Sequence, residues 1–428
     1  MKDLKHLIYF ENLLQDAQNE LVDQAKAAGQ YALGYNCYYI PEVLLNLPGC
    51  FSSRLRAPRC TSTDIAGYYM TNRSCPYARS ILERAIEGGY NYLDALFGAE
   101  SCATMDRMES HFFLINPVKN DRFFVTQVDP PMKGDSINLE YYKVQLRVKV
   151  LEPLKERLGV DVSDEPIRTA VEKHNRLCRV ITEIGSLRKL PNPPITGYEF
   201  HVIQLVSQVC PHDLILPYLE ETLEELKTRE PEEKFPFRTR VVLVGSEIDD
   251  PEFTKLIETC GAMVVADRYC FGSFPSREEI EIRDGESAFD AICRTYLHWN
   301  QCARFMDGMK IDQRHDEVER LVKEFGAEDI IYENMKFCEF RIIDLAADQN
   351  HSGAERELRL RLTRFQLFQC FFQIRKDQIM GTDLAYQLHH MELISGNRRI
   401  RKLTEGPDLR NHAAEAVMFL YGDAQRLL

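Results

Sequence analysis

Short apolar runs alternate along the chain with longer segments whose apolar positions recur at helical spacing. In the first thirty residues Leu4, Leu7, Leu14, Ala17 and Leu21 fall among charges at that spacing. The pattern predicts an amphipathic N-terminal helix over 1–30 rather than a signal peptide. "YALGYNCYYIPEVLLNLPGCFSSRLRAP" then reads as strand, short helix and strand, with Pro41 at the helix start. "SCPYARSILERAIEGG" reads as a helix closed by glycines, and "YLDALFGAESC" and "RFFVTQVDPP" as buried strands. Strands alternating with helices predict a parallel sheet with crossover connections over 31–137.

From 138 to 237 the pattern turns helical and charged. "LEYYKVQLRVKVLEPLKERLGV", "DEPIRTAVEKHNRLCRVITEIGSL" and "HDLILPYLEETLEELKTREPEEK" form a helical connecting segment. A second α/β unit over 238–380 opens with "RVVLVGSEIDDPEFTKLIETCGAMVVADRYCFGS", read as strand, loop, helix and strand. Helices follow, and then a strand in "EDIIYENMKFC" that is expected to run to Cys338. A C-terminal helical tail is expected over 381–428. The fold class is therefore α/β, with two parallel-sheet domains, an N-terminal helix and a helical connection.

Composition adds bounds. A chain of 428 residues with 44% hydrophobic and 28% charged residues has the core and surface of a two- or three-domain globular protein. No apolar run approaches the roughly 20 residues that span a bilayer, so cytoplasmic residence without membrane association is the expectation. A formal charge of −13 argues against nucleic-acid binding. The thirteen cysteines are scattered and contain no CxxC pair. That disfavours both a disulfide scaffold and a zinc ribbon. Buried structural thiols remain, together with a metal site assembled from distant segments.

Cys102, Cys270 and Cys338 each fall at or just beyond the carboxyl end of an expected strand, the edge at which open parallel sheets bind ligands. Cys75 falls where a helix begins, and the helix dipole there is expected to lower its pKa toward the metal-binding thiolate. Each thiol taken singly fits a buried hydrophobic role better than a ligand role. Three thiolates from distant loops would suit an iron–sulfur cluster with one iron open to substrate, where four would favour electron transfer alone.

Taken in order, "GYNCYYIPEVLL", "RLRAPRCTSTD", "SCPYARSILE", "GGYNYLDALFGAESC", "FFVTQVDPP", "VVLVGSEIDDPEFTKLIETCGAMVVADRYCFGS" and "ENMKFCEF" carry a resemblance. Over roughly 1–340 the chain resembles the 2-hydroxyacyl-CoA dehydratase and benzoyl-CoA reductase family of oxygen-sensitive iron–sulfur proteins. The resemblance implies two flavodoxin- or Rossmann-like domains facing a cleft, with a 4Fe–4S cluster held by Cys75, Cys102 and Cys338. It also implies an acyl-CoA substrate, a separate ATP-dependent iron–sulfur activator protein, and pairing with a homologous second subunit or with itself. The absence of a G-x-x-x-x-G-K-[ST] loop agrees with ATP being used elsewhere.

The implied reaction is elimination of water from a 2-hydroxyacyl-CoA thioester. One low-potential electron at the thioester carbonyl would give a ketyl radical anion that expels the neighbouring hydroxyl and acidifies the β-proton, or the chain would act as a related acyl-CoA reductase. Cys37, Tyr39 and Glu42, near the first strand end, are the candidates for proton handling. Two alternatives stand beside this. Cys37, Cys60 and Cys270 occupy positions like those of a branch carrying a double-cubane 8Fe–9S cluster, and a non-catalytic partner subunit would keep the fold alone. Departures include Ala103, where family members commonly carry Asp after the second ligand, and an early "LTRF" that shortens the region after Cys338.

Overall fold

The structure is a computed structural model that describes residues 3–231, 237–273, 278–299, 302–305, 308–335 and 337–338. The described residues all belong to one compact unit. The tail expected over 381–428, and the second α/β unit beyond 338, lie outside the described residues.

The N-terminal segment folds as two helices, α1 (Leu7–Leu13) and α2 (Glu20–Ala27), rather than one. Asn19 makes the break. Its buried Oδ1 accepts the Leu21 and Val22 N–H groups at 3.1 Å each, which starts a new helix where the apolar spacing suggested continuation.

The first sheet contains β1 (Tyr31–Tyr35), β2 (Cys50–Arg54), β3 (Ala95–Ala99) and β4 (Phe124–Val128), all parallel, in the order β2-β1-β3-β4. This is the doubly wound plan, in which the crevice beyond the carboxyl ends is the binding edge. α3 (Pro76–Ile86) and α4 (Ala103–Ile115) follow β2 and β3. β3 is wholly buried, as its unbroken apolar run implied. Gly98 within it is sterically required. A Cβ there would lie 2.0 Å from Oε2 of Glu109, a carboxylate of α4 buried behind the strand.

The connection contains α5 (Ser136–Leu146), a π-helical turn at Arg147–Leu151, α6 (Glu152–Leu158), α7 (Asp164–Ser186), α8 (Gly197–Val209) and α9 (His212–Thr228). The hydrophobic pattern did not single out α8. All its residues except Tyr198 are buried, and it packs against β2 of the first sheet and β6 of the second. Thr196 and Glu199 form a capping box at its start, and Glu258 accepts the Gly197 and Tyr198 N–H groups at 2.8 and 3.1 Å. Gly197 is needed because a Cβ would meet the Val264 carbonyl oxygen at 2.5 Å.

The second sheet contains β5 (Thr239–Val244), β6 (Ala262–Arg268) and β7 (Asp329–Tyr332), parallel, in the order β6-β5-β7. α10 (Pro251–Thr259) crosses from β5 to β6, and α11 (Ala288–Trp299) and α12 (Gly308–Glu324) lead to β7. Beneath this sheet Arg188 and Asp267 form an ion pair at 3.0 Å with both side chains 2% exposed. β7 ends at Tyr332, six residues before Cys338. The next residue, Glu333, turns its carboxylate to Ser246, accepting the backbone N–H at 3.1 Å and the hydroxyl at 2.8 Å, so the chain leaves the sheet there. No helix among the described residues is long and apolar enough to cross a membrane.

Candidate functional site at the sheet edges

Cys75 is the N-cap of α3, with Pro76 in the first turn, and Cys102 is the N-cap of α4 directly after β3. Cys338 follows β7, its N–H bonded to the Met335 carbonyl at 2.9 Å. The three thiols are half-buried and close enough to act on one another electrostatically. Charge on Cys338 raises the pKa of Cys75, and charge on Cys75 and Cys338 raises that of Cys102. The Cys75 thiol donates to the Met335 thioether sulfur at 3.2 Å, which ties the first sheet's edge to the segment after β7.

The expectation of a thiolate-favouring helix start at Cys75 is corrected. Burial pushes Cys75 and Cys102 up to about 12, and the local N–H groups only partly offset it. Each thiol thus keeps its proton unless a positively charged centre binds, because metal ligation deprotonates a thiol outright.

Arg54, at the end of β2, joins the two edges. Its Nη1 donates to Gln208 Oε1 at 2.7 Å and to the Cys270 carbonyl at 2.5 Å. Its Nη2 reaches Glu247 at 3.3 Å, and the guanidinium lies 3.9 Å from the Phe271 ring centroid. Glu247 lies near enough to the thiols that its charge raises the pKa of both Cys37 and Cys75. Neither Arg54 nor Glu247 was singled out by the sequence pattern. Behind the same edge, Glu109 accepts from Gln127 at 2.8 Å and from Asn36, and burial pushes its carboxyl up to about 8.

The remaining candidates separate. Cys37 sits near Cys302, Glu247 and Arg54, and burial pushes its thiol up to about 12. Tyr39 is buried beside Arg304, 5.6 Å from ring centroid to guanidinium. Glu42 turns into the helical layer. There it lies 3.1 Å from His174 Nδ1 and accepts the Tyr296 hydroxyl, and His174 Nε2 lies 3.3 Å from the Cys178 sulfur. Burial works to raise the Glu42 pKa, but His174 and Tyr296 outweigh it and hold it at about 2. Cys270 presents its carbonyl to Arg54. Cys60 bonds to the Ser62 carbonyl at 3.0 Å and faces the charges of Glu83 and Glu87. It lines a small surface depression with Gln15, Asp16 and Arg84.

In the loops after β5 and β6 the backbone N–H groups of the two serines are committed within the chain. Ser246 N–H is donated to Glu333, and Ser273 N–H to Asp267 at 2.6 Å. Among the described residues no three or more His, Cys, Asp or Glu side chains converge tightly enough for a single metal ion.

The family model described as "2-hydroxyglutaryl-CoA dehydratase, D-component" matches residues 37–349. The (R)-phenyllactyl-CoA dehydratase beta subunit of Clostridium sporogenes is 22% identical over 331 residues, covering 77% of this chain and 85% of that protein. The beta subunit of (R)-2-hydroxyglutaryl-CoA dehydratase from Acidaminococcus fermentans is 23% identical over 334 residues, covering 76% and 86%. The lactoyl-CoA dehydratase subunit beta of Anaerotignum propionicum is 19% identical over 336 residues, covering 78% and 86%. With that match running from the end of β1 through the last described strand, the chain belongs to the 2-hydroxyglutaryl-CoA dehydratase D-component family.

Proposed function

We propose that the chain is a cluster-bearing subunit of a 2-hydroxyacyl-CoA dehydratase, with Cys75, Cys102 and Cys338 as the ligands of one 4Fe–4S cluster. The observation that carries this reading is that thiols from three separate segments gather at the sheet edges: Cys75 and Cys102 start α3 and α4, the Cys75 thiol meets Met335 of the segment that carries Cys338 at 3.2 Å, and Cys338 lies near enough for its charge to raise both other thiols. A four-iron cube is larger than one ion. It needs thiols arranged around it rather than meeting at a point, which agrees with the lack of a mononuclear site among the described residues. When bound, such a cluster would supply a low-potential electron and an iron without a protein thiolate, open to a thioester oxygen.

The chain's own residues then have definable tasks. Arg54 holds the two edges together and pairs with the Glu247 carboxylate. Glu247 and Cys37, electrostatically near one another, would be the groups that exchange protons with a bound thioester. Glu42, committed to His174 and Tyr296, fits an orienting role for the helical layer better than proton transfer at the cleft. Cys60 is occupied with its own loop, which gives the eight-iron alternative no support. The relatives are each a beta subunit of a dehydratase, so a second subunit completing the enzyme belongs to the same proposal.

The test is the visible chromophore of anaerobically purified protein. Cys102→Ala abolishes it, whereas Cys260→Ala, at the end of α10, leaves it unchanged. Retention of the full absorbance in Cys102→Ala overturns the ligand assignment.

A further inference from the structure

A fourth sulfur stands among the three proposed cluster ligands. The Met335 thioether sulfur lies 3.2 Å from the Cys75 sulfur, inside the roughly 3.5–4 Å at which carbon atoms pack. Met335 is half-buried against the same part of the core as Cys75 and Cys102, and it precedes Cys338 by three residues.

The backbone is built to hold it there. Ser246 donates its hydroxyl to Glu333 at 2.8 Å, and the same Oγ accepts the Met335 N–H at 3.2 Å. The Met335 carbonyl accepts the Cys338 N–H at 2.9 Å, closing a turn that has the thioether at its start and the thiol at its end. Phe337, third in that turn, has a φ of +66°. This is a left-handed conformation that glycine or asparagine normally fills and a bulky side chain rarely adopts. Such strain persists only where the surrounding structure enforces it, and it gathers at ligand sites. A methionine kept for packing alone needs none of this, because its flexible side chain fills irregular gaps wherever it falls.

Three cysteines leave one iron of a four-iron cluster without a protein thiolate. A thioether is a soft donor of the kind that suits iron–sulfur centres. It is also neutral, so it adds no negative charge to the cluster and holds its place less firmly than a thiolate. We propose that Met335 is the fourth protein ligand, a displaceable thioether that covers the iron left over by Cys75, Cys102 and Cys338. The inference rests on the cluster reading and goes beyond it by assigning the remaining position. Met335 would shield that iron from water and give way to a competing donor, with no thiolate bond broken.

Cyanide binding to the reduced cluster, followed by electron paramagnetic resonance on the full chain purified without oxygen, tests this. Met335→Leu keeps the side chain's volume and removes its sulfur. The variant retains about four irons, its resonance spectrum changes, and its apparent cyanide affinity rises about tenfold, as expected when a group covering the site about nine-tenths of the time is removed. Met335→Cys supplies a thiolate in place of the thioether. It too retains the cluster, but cyanide binding is lost and the reduction potential falls. Wild-type protein without iron overturns the cluster reading and this inference with it. Wild-type and Met335→Leu proteins that both hold the cluster, with equal cyanide affinities and identical spectra, leave the cluster reading standing and overturn the assignment of Met335. A Met335→Cys protein that binds cyanide like the wild type overturns it as well.

Discussion

Replacing Arg54 with Met removes the tie between the two sheet edges while keeping much of the side chain's volume. Arg54 is 3% exposed and holds Gln208, the Cys270 carbonyl and Glu247 at 2.7, 2.5 and 3.3 Å. Breaking a buried ion pair by deleting one partner costs about 3–5 kcal/mol, since the other charge is left uncompensated. Glu247 is 21% exposed and keeps some hydration, which discounts that figure toward its lower end. The Cys270 carbonyl and the Gln208 amide, left without their donor, add a cost of about 1 kcal/mol each. The expected loss is therefore about 3–5 kcal/mol by urea denaturation at neutral pH. Adding Glu247→Gln to Arg54→Met recovers part of it, because the stranded charge is gone. Arg54→Lys falls between, having one charged nitrogen where the site engages two. An Arg54→Met protein within about 1 kcal/mol of wild type would refute the account of Arg54 as the link between the edges.

Glu109 gives a pH signature. Its carboxyl is raised by burial from the usual 4.5 to about 8, so the native state holds a proton that the unfolded chain releases over that interval. Its contribution is intact below about pH 4 and lost as pH rises toward 8, by at most about 4–5 kcal/mol. The stability of wild type minus that of Glu109→Gln should fall across this range, and a flat difference would contradict the assignment. Gly98→Ala, which drives a Cβ onto the Glu109 carboxylate, should cost roughly 1–3 kcal/mol. Adding Glu109→Ala should relieve the steric part, and chemical denaturation of the single and double variants checks this. Asn19→Ala removes the cap between α1 and α2 and should lower stability by about 1 kcal/mol in the same assay.

The strands and crossover helices were legible because the centres of β1, β3, β5 and β6 are buried on both faces and read as short apolar runs. α8 was hard to see for the complementary reason. A helix buried all round shows no polar face, so its apolar positions have no period to follow. Strand length was overread at β7, where a turn begins through the Glu333–Ser246 contact, a long-range pairing that local pattern does not encode. Cys75, Cys102 and Cys338 were legible as strand-edge and helix-start thiols. Arg54 and Glu247 were not, because each looks like an ordinary charged residue until the fold brings them together as an ion pair. Glu109 did leave a trace. The glycine in the middle of β3 signals close approach of another group, and Gly98 faces that carboxylate. Glu42 was legible as a polar residue at a strand end, but its partners come from α7 and α11, more than a hundred residues away in sequence.

The proposed four-iron centre of Cys75, Cys102 and Cys338 fixes how much iron a chain should carry. Iron and acid-labile sulfide, measured per chain on protein purified without oxygen, test it most directly. Wild-type protein should carry about four of each, and a folded variant with all three cysteines changed to serine essentially none. Wild-type protein free of both iron and sulfide, or a triple variant that keeps them, would contradict it.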